Sequence, residues 1–401
     1  MKRRTLLTSF AGALAAPSII RPASAATPGV TATEIKIGHT IPYSGPASAY
    51  GVIGKGHTAF WKMINAQGGV NGRKINFLSL DDGYSPPRTV EQVRRLVEQD
   101  EVACLFNTLG TPNNSAIQKY VNSKKVPTLF VSTGAEKWGD YKHFPWIMGW
   151  QPSYQTEAEI YARYIMKNKP DAKVAILYQN DDFGKDYPAG LKVGFGAQYS
   201  KFVIKELTYE VTDATIDSQA VTLKDSGADV LITAATPKFA AQMIRKIYDI
   251  GWKPLHFLTN VSGSVASVIN PAGPEKAVGI ITSSYGKDPT DPTWKDDKGM
   301  NEWRAFMKAN IPDGDLADSG YTFSYGVCTT MLQVLKQCEK DLSRENILRQ
   351  ASNLKEMEIP TLLPGVKVST SPTNYHPIRA MQLSKWDGKT WALFGDVISG
   401  A

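Results

Sequence analysis

The sequence predicts an α/β protein of two lobes, each a parallel sheet flanked by helices. Three observations carry this expectation. Short apolar runs alternate with amphipathic helical patterns, the signature of βα units whose crossovers leave helices on both faces of a parallel sheet. The chain has 401 residues, beyond the size at which one core keeps growing. Its eight or so βα steps are too many for one small open sheet, and they divide near Trp150-Gln151. An apolar content of 42% with 21% charged residues argues against extended disorder.

Taken in order, residues 1–26 stand apart from the fold. "MKRRTLLTSFAGALAAPSIIRPASAA" has a basic start, an apolar middle and a small-residue site at Ala23-Ser24-Ala25, the three regions of an export signal. The pair Arg3-Arg4 before Thr5-Leu6-Leu7 resembles the twin-arginine type. Strand-like runs then fall at 35–41, 75–80, 103–107, 128–132, 174–178, 230–234, 256–259 and 280–284. Between the second and third, "SPPRTVEQVRRLVEQ" places Val90, Val93 and Val97 on one helical face with Pro87 in the first turn. "NAQGG", residues 65–69, stops the helix before it. A new helix begins near Gln155. From about residue 360 the chain turns β-rich, and Asp387-Gly388 is a hairpin signal. The expected division is 27–150 with 283–355 in the first lobe and 151–282 with 356–401 in the second.

Charge and composition exclude several functions. Residues 1–25 contain Lys2, Arg3, Arg4 and Arg21 and no acid, so the formal charge falls from +7 to +3 without them. No basic patch with interleaved aromatics argues for nucleic acid, and no later segment has 18 uninterrupted apolar residues, so the mature chain is expected to be soluble. Three cysteines are too few for a disulfide scaffold. Cys104 reads as a buried small hydrophobe, and Cys328 and Cys338 are separated by about 15 Å of helix. No catalytic motif is present: there is no Gly-x-Ser-x-Gly elbow, no His-Glu-x-x-His and no correctly spaced phosphate loop. The five histidines lack ligand spacing. No enzyme activity, metal or cofactor is expected.

In sheets of this type ligands bind beyond the carboxyl ends of the strands. Four such places stand out: "IPYSGPASAYG" with Tyr50 at its mouth, "LFNTLGTPNNSA" with Asn107 and Thr108, "FVSTGAE", and "NDDFG". Gly110 allows close approach of the backbone, and the N–H groups of the helix starting near Pro112 suit a carboxylate. Tyr50, Trp138, Phe183, Tyr285 and Tyr321 are aromatics near strand ends.

At these residues the mature chain resembles the periplasmic solute-binding proteins of ABC importers, in particular the leucine/isoleucine/valine-binding protein family. The resemblance runs from "IKIGHTIPYSGPASAYG" through "INAQGGVNGRKI", "PTLFVSTGA" and "YQNDDFGKDYPAGL" to "TLLPGVKVSTSPTNYHPI" and "WDGKTWALFGDVISG". It implies two Rossmann-like lobes joined by a three-segment hinge, the type I periplasmic binding fold. A monomer of this fold closes over a small ligand in the periplasm and docks on a membrane permease. By the same resemblance Tyr50 packs on the ligand, and Thr108 with the backbone at Leu109, Gly134 and Ala135 binds its carboxylate. Phe183 is then the aromatic lid of the second lobe.

Two departures set the expected specificity. Amino-acid-binding members carry a carboxylate for the ligand ammonium in the turn that here reads "LTNVSG", which puts Asn260 or Val261 in its place. Glu136 stands where the family usually has Thr or Ser, and it replaces the missing acid only if it points inward. A buried ammonium without a counter-charge is expensive. The expected ligand is therefore a carboxylate with an apolar or aromatic body and no ammonium. An amino acid is the alternative, and a ligand-sensing receptor domain a second one.

Overall fold

The computed structural model describes residues 27–399, so the export signal read at residues 1–26 lies outside the described residues. The first sheet is built from β1 (Glu34–Ile41), β2 (Lys74–Asp81), β3 (Cys104–Phe106), β4 (Thr128–Val131) and β5 (Ile147–Gly149) in the order β2-β1-β3-β4-β5, and every pairing is parallel. Parallel strands covered on both faces must be apolar throughout; β3 and β4 are buried at every residue. Helices α1 (Gly51–Ala66), α2 (Pro86–Glu98) and α3 (Thr111–Ser123) form the crossovers. Val93 and Val97 of α2 are buried as its periodicity predicts, with Val90 partly buried against the same cluster. Gly68 and Gly69, at φ 106° and 81°, end α1.

The second sheet has seven strands. They are β6 (Val174–Gln179), β7 (Val203–Tyr209), β8 (Val230–Ala234), β9 (Leu255–Leu258), β10 (Ile281–Ser284), β11 (Ala380–Trp386) and β12 (Trp391–Ser399), in the order β12-β11-β10-β9-β8-β6-β7. Only β11 runs against its neighbours on both sides; the hairpin it makes with β12 turns at Asp387, whose N–H donates to the Thr390 carbonyl. Helices α4 (Tyr154–Asn168), α5 (Asp182–Phe195), α6 (Asp217–Asp225) and α7 (Pro237–Asp249) accompany this sheet. Two strands have no counterpart in the sequence reading. β5 has three residues and too little pattern to read, and β7 alternates half-buried with exposed residues at the sheet edge.

The chain crosses between lobes three times, after β5, after β10 and before β11, and these crossings form the hinge. Helices α8 (Lys298–Asn310), α9 (Ser319–Gln337) and α10 (Arg344–Ala351) return to the first lobe. One expected boundary needs correction. Residues 356–401 do not belong to the second lobe as a block: Ile359, Leu362, Val366, Val368, Tyr375 and Ile378 are buried in the first lobe's core, and only 380–399 joins the second sheet. Pro and Gly turns make this stretch look continuous in sequence, and burial alone divides it. Cys104, Cys328 and Cys338 are free and buried.

Three imidazoles are sealed inside the lobes, two on strands and His57 on α1. His39 Nδ1 meets the Phe106 carbonyl at 2.9 Å, His57 lies between Ser324 Oγ and Asn107 Oδ1, and His256 Nε2 lies 2.9 Å from Thr233 Oγ1. Burial lowers His39 to about 4 and His256 to about 3. It also holds His57 well below the ordinary value, with help from neighbouring His39. A group depressed in this direction contributes its full stability above the unfolded value of about 6.5 and loses it as pH falls toward the folded value. Asp186 and Asp288, raised to about 6 chiefly by burial, act in the opposite sense, so a variant is needed to isolate one ring. In urea unfolding between pH 7.5 and 5, the wild type will lose about 2 kcal/mol more than His256→Asn. Equal losses would mean that the folded protein protonates this ring as easily as the unfolded chain does.

Candidate functional site

A cleft of about 160 Å³ opens between the lobes at the carboxyl ends of both sheets. From the first lobe it is lined by Tyr50, Val52 and Ile53 at the start of α1, Tyr84 after β2, Leu109–Thr111 after β3, and Ser132 and Thr133 after β4. From the second come Tyr154, Phe183, Thr236, Asn260, Val261 and Ser283. The hinge adds Trp150, Gln151 and Tyr285.

One corner is suited to an anion. Gly110, at φ 100°, turns the chain into α3, which starts with no side-chain cap; Pro112 has no N–H, so it is Thr111, in the cleft wall, that brings an open N–H and the positive end of the helix dipole to this corner. Ser132 lines the cleft, and its hydroxyl has no partner among the described residues. Thr111 Oγ1 and Thr133 Oγ1 lie 2.6 Å apart and tie the turns after β3 and β4 together. Facing this corner is an aromatic wall. Tyr154 meets Phe183 edge-on at 4.9 Å, and Trp150 meets Phe323 at 5.2 Å. Tyr50 donates its hydroxyl across the cleft to the Val261 carbonyl at 3.1 Å, joining the lobes. Further ties between them are Lys137 Nζ to Asp182 at 3.0 Å, the Glu136 N–H to Asp186 Oδ2 at 2.8 Å, and Ser264 Oγ to Asp318 Oδ1 at 3.1 Å.

The turn after β9 rests on a buried acid, Glu157 of α4. Its Oε1 accepts the Asn260 N–H at 2.8 Å and Ser283 Oγ at 2.7 Å. Its Oε2 accepts Asn260 Nδ2 at 2.7 Å, and the Tyr161 and Tyr187 hydroxyls complete the cage. Burial pushes this carboxyl up and the donors oppose it. Two acids line the cleft itself, each already hydrogen-bonded within the protein. Asp318 caps α9 through the Gly320 N–H and takes Ser264 Oγ, and Asp288 accepts the Thr290 N–H and hydroxyl.

Of the residues singled out from sequence, Tyr50, Leu109, Gly110, Phe183, Asn260, Val261 and Tyr285 line the cleft. The remainder lie outside its wall. Asn107 turns inward, donating to the Phe130 carbonyl and facing His57. Thr108 donates to Asn114 at 2.5 Å. Gly134 packs against the Pro152 carbonyl and the Tyr154 ring, where a Cβ would approach to 2.3 Å and 2.9 Å. The N–H groups expected of Leu109 and Ala135 are already committed, to the Thr40 carbonyl and to Thr133 Oγ1. Glu136 points away from the cleft: its carboxylate takes Ser153 and pairs with His376 Nε2 at 3.3 Å. Tyr321 and Trp138 are core side chains, the latter donating to Thr133 at 3.2 Å. Sequence reading missed Tyr84, Thr236 and Glu157. Tyr84 follows a strand in the same way as the four chosen turns and was open to the same argument; nothing local marks Glu157.

Among the described residues no group of three or more His, Cys, Asp or Glu gathers as a metal site, and no helix is long and apolar enough to cross a membrane. Residues 34–390 match the family described as periplasmic binding protein. A relative, Leu/Ile/Val-binding protein homolog 7 of Brucella suis, is 24% identical over 99% of this chain and 97% of its own. Among solved structures, a branched-chain amino acid ABC transporter from Thermus thermophilus with bound valine superposes with a TM-score of 0.82 at 14% identity, covering 92% of this chain and 97% of its own. A solute-binding protein of an ABC transporter from R. palustris in complex with 4-hydroxybenzoate gives 0.76 at 18% identity, covering 91% and 97%. At these identities the structures speak for the fold.

Proposed function

The chain belongs to the periplasmic binding protein family, and from that premise we propose that it is the extracytoplasmic solute receptor of an ABC importer. It captures a small carboxylate with an apolar or aromatic body by hinge closure and delivers it to a membrane permease. On this reading the protein acts as a monomer in the periplasm after removal of the segment at 1–26. Closure is driven by contacts that a ligand makes only when both lobes reach it.

The observation that carries the ligand class is the pairing of the open first turn of α3 and the free Ser132 hydroxyl with an aromatic wall, while Val261 stands in the turn after β9 where a counter-acid for an ammonium is expected. Valine and 4-hydroxybenzoate, bound by the two structural neighbours, share a carboxylate and differ in the ammonium. The amino-acid reading is favoured by Asp288 and Asp318 in the cleft wall; against it, Asp288 already accepts from Thr290, and Asp318 from Gly320 and from Ser264 of the other lobe.

The test is a thermal-shift panel on the protein from Ala26 onward, unfolded and refolded to strip carried-over ligand. Benzoate, 4-hydroxybenzoate and octanoate are compared with leucine, valine and phenylalanine. A ligand at about 100 times its Kd stabilises by about 2.7 kcal/mol, a shift of a few degrees at this size. Shifts with an acid and none with the amino acids are expected. Shifts with amino acids alone would replace the organic-acid reading with the amino-acid one.

A further inference from the structure

Asn260, in the cleft wall, has its amide orientation dictated from behind. Its backbone N–H and its Nδ2 both donate to Glu157, one to each carboxylate oxygen, at 2.8 Å and 2.7 Å. Turning the amide over would set Oδ1 against Oε2, two acceptors in contact, so the arrangement has a single chemically sensible sense. Glu157 is itself immobilised by Ser283, Tyr161 and Tyr187. Asn260 lines the cleft, and its Oδ1 has no donor among the described residues. The neighbouring Val261 carbonyl has one of its two lone pairs engaged by the Tyr50 hydroxyl, whereas Asn260 Oδ1 has both open.

We infer that the ligand carries a hydrogen-bond donor, a hydroxyl or an N–H, at the end that meets Asn260, whose Oδ1 is held toward the cleft as a fixed acceptor by Glu157. Glu157 is a positioning residue in this scheme and touches no ligand. The inference deepens the proposed function and rests on its placement of the ligand in this cleft. A ligand without a donor would leave Oδ1 unpaired when the lobes shut out water. A site built to bond a donor discriminates strongly against an analogue that lacks it.

The experiment is isothermal titration of the refolded protein with three matched pairs: 4-hydroxybenzoate and benzoate, 6-hydroxyhexanoate and hexanoate, and leucine and 4-methylpentanoate. In at least one pair the donor-bearing member should bind at least about 10-fold tighter. Asn260→Leu should bring that pair within about 3-fold by weakening the donor-bearing member alone, and Glu157→Gln, which releases the amide, should narrow the same ratio. A preference that survives Asn260→Leu, or wild-type affinities that do not distinguish members of any pair, would overturn the inference while leaving the receptor reading intact. If only leucine binds and its advantage is lost in Asn260→Leu, the inference stands and the organic-acid reading falls. Binding by none of the six overturns both.

Discussion

Replacing Glu157 by Leu will destabilise the second lobe by about 3 kcal/mol or more, seen in urea unfolding, although the new side chain is apolar and the site is fully buried. Two effects oppose each other. Removing a buried carboxylate relieves its desolvation, and exchanging an entire buried polar cluster for apolar groups is often neutral or stabilising. Here only the acceptor is removed. The Asn260 N–H, its Nδ2 and the Ser283 hydroxyl each lose the acceptor they have in the cage. Each stranded donor costs about 1–3 kcal/mol, so the stranded donors outweigh the relief. The tyrosines soften the loss, because Tyr161 also reaches the Leu258 carbonyl and Tyr187 also touches Thr259. Glu157→Gln, which keeps one acceptor, should lose clearly less. A loss below about 1 kcal/mol for the Leu variant would show that the cage is not what holds the turn after β9.

Val261→Glu is expected to exchange one ligand class for another. The substitution places a carboxylate on the cleft wall beside Tyr50, where an acid would face a bound ammonium. Two like charges about 5 Å apart at an effective dielectric of about 20 repel by about 3 kcal/mol, roughly a 200-fold loss of affinity. A simple carboxylic acid should suffer a loss of this order, and leucine should gain at least about 10-fold because its ammonium finds the counter-charge it lacked. Titration calorimetry of benzoate and leucine on both proteins checks this. Unchanged acid binding would remove residue 261 from the ligand's surroundings, and with it the argument for specificity.

Much of the architecture was legible in one dimension because it rests on local periodicity. The runs at 174–178 and 230–234 read as buried parallel strands, and β6 and β8 are almost wholly buried. Pro87 and the "NAQGG" stop mark helix ends through φ preferences that need no partner. Tyr50, Phe183 and Val261 line the cleft because the cleft of a doubly wound sheet is assembled from strand ends, and strand ends are visible in sequence.

The residues that lie outside the cleft wall share a cause. Asn107, Thr108, Glu136 and Tyr321 sit beside segments that line the cleft, yet a side chain there can face the cleft, the core or solvent, and the choice depends on partners far away in the chain: His57 and Phe130 for Asn107, His376 for Glu136. By itself the sequence determined two α/β lobes, the order of their units and the turns from which a cleft is made, since backbone propensity and hydrophobic period act over a few residues. Only the tertiary structure decided that 356–378 packs in the first lobe, that Glu136 turns outward, and that Glu157 underpins Asn260 across 103 positions. Burial and hydrogen-bond satisfaction are properties of the assembled whole, and no local pattern encodes which donor a buried carboxylate will meet.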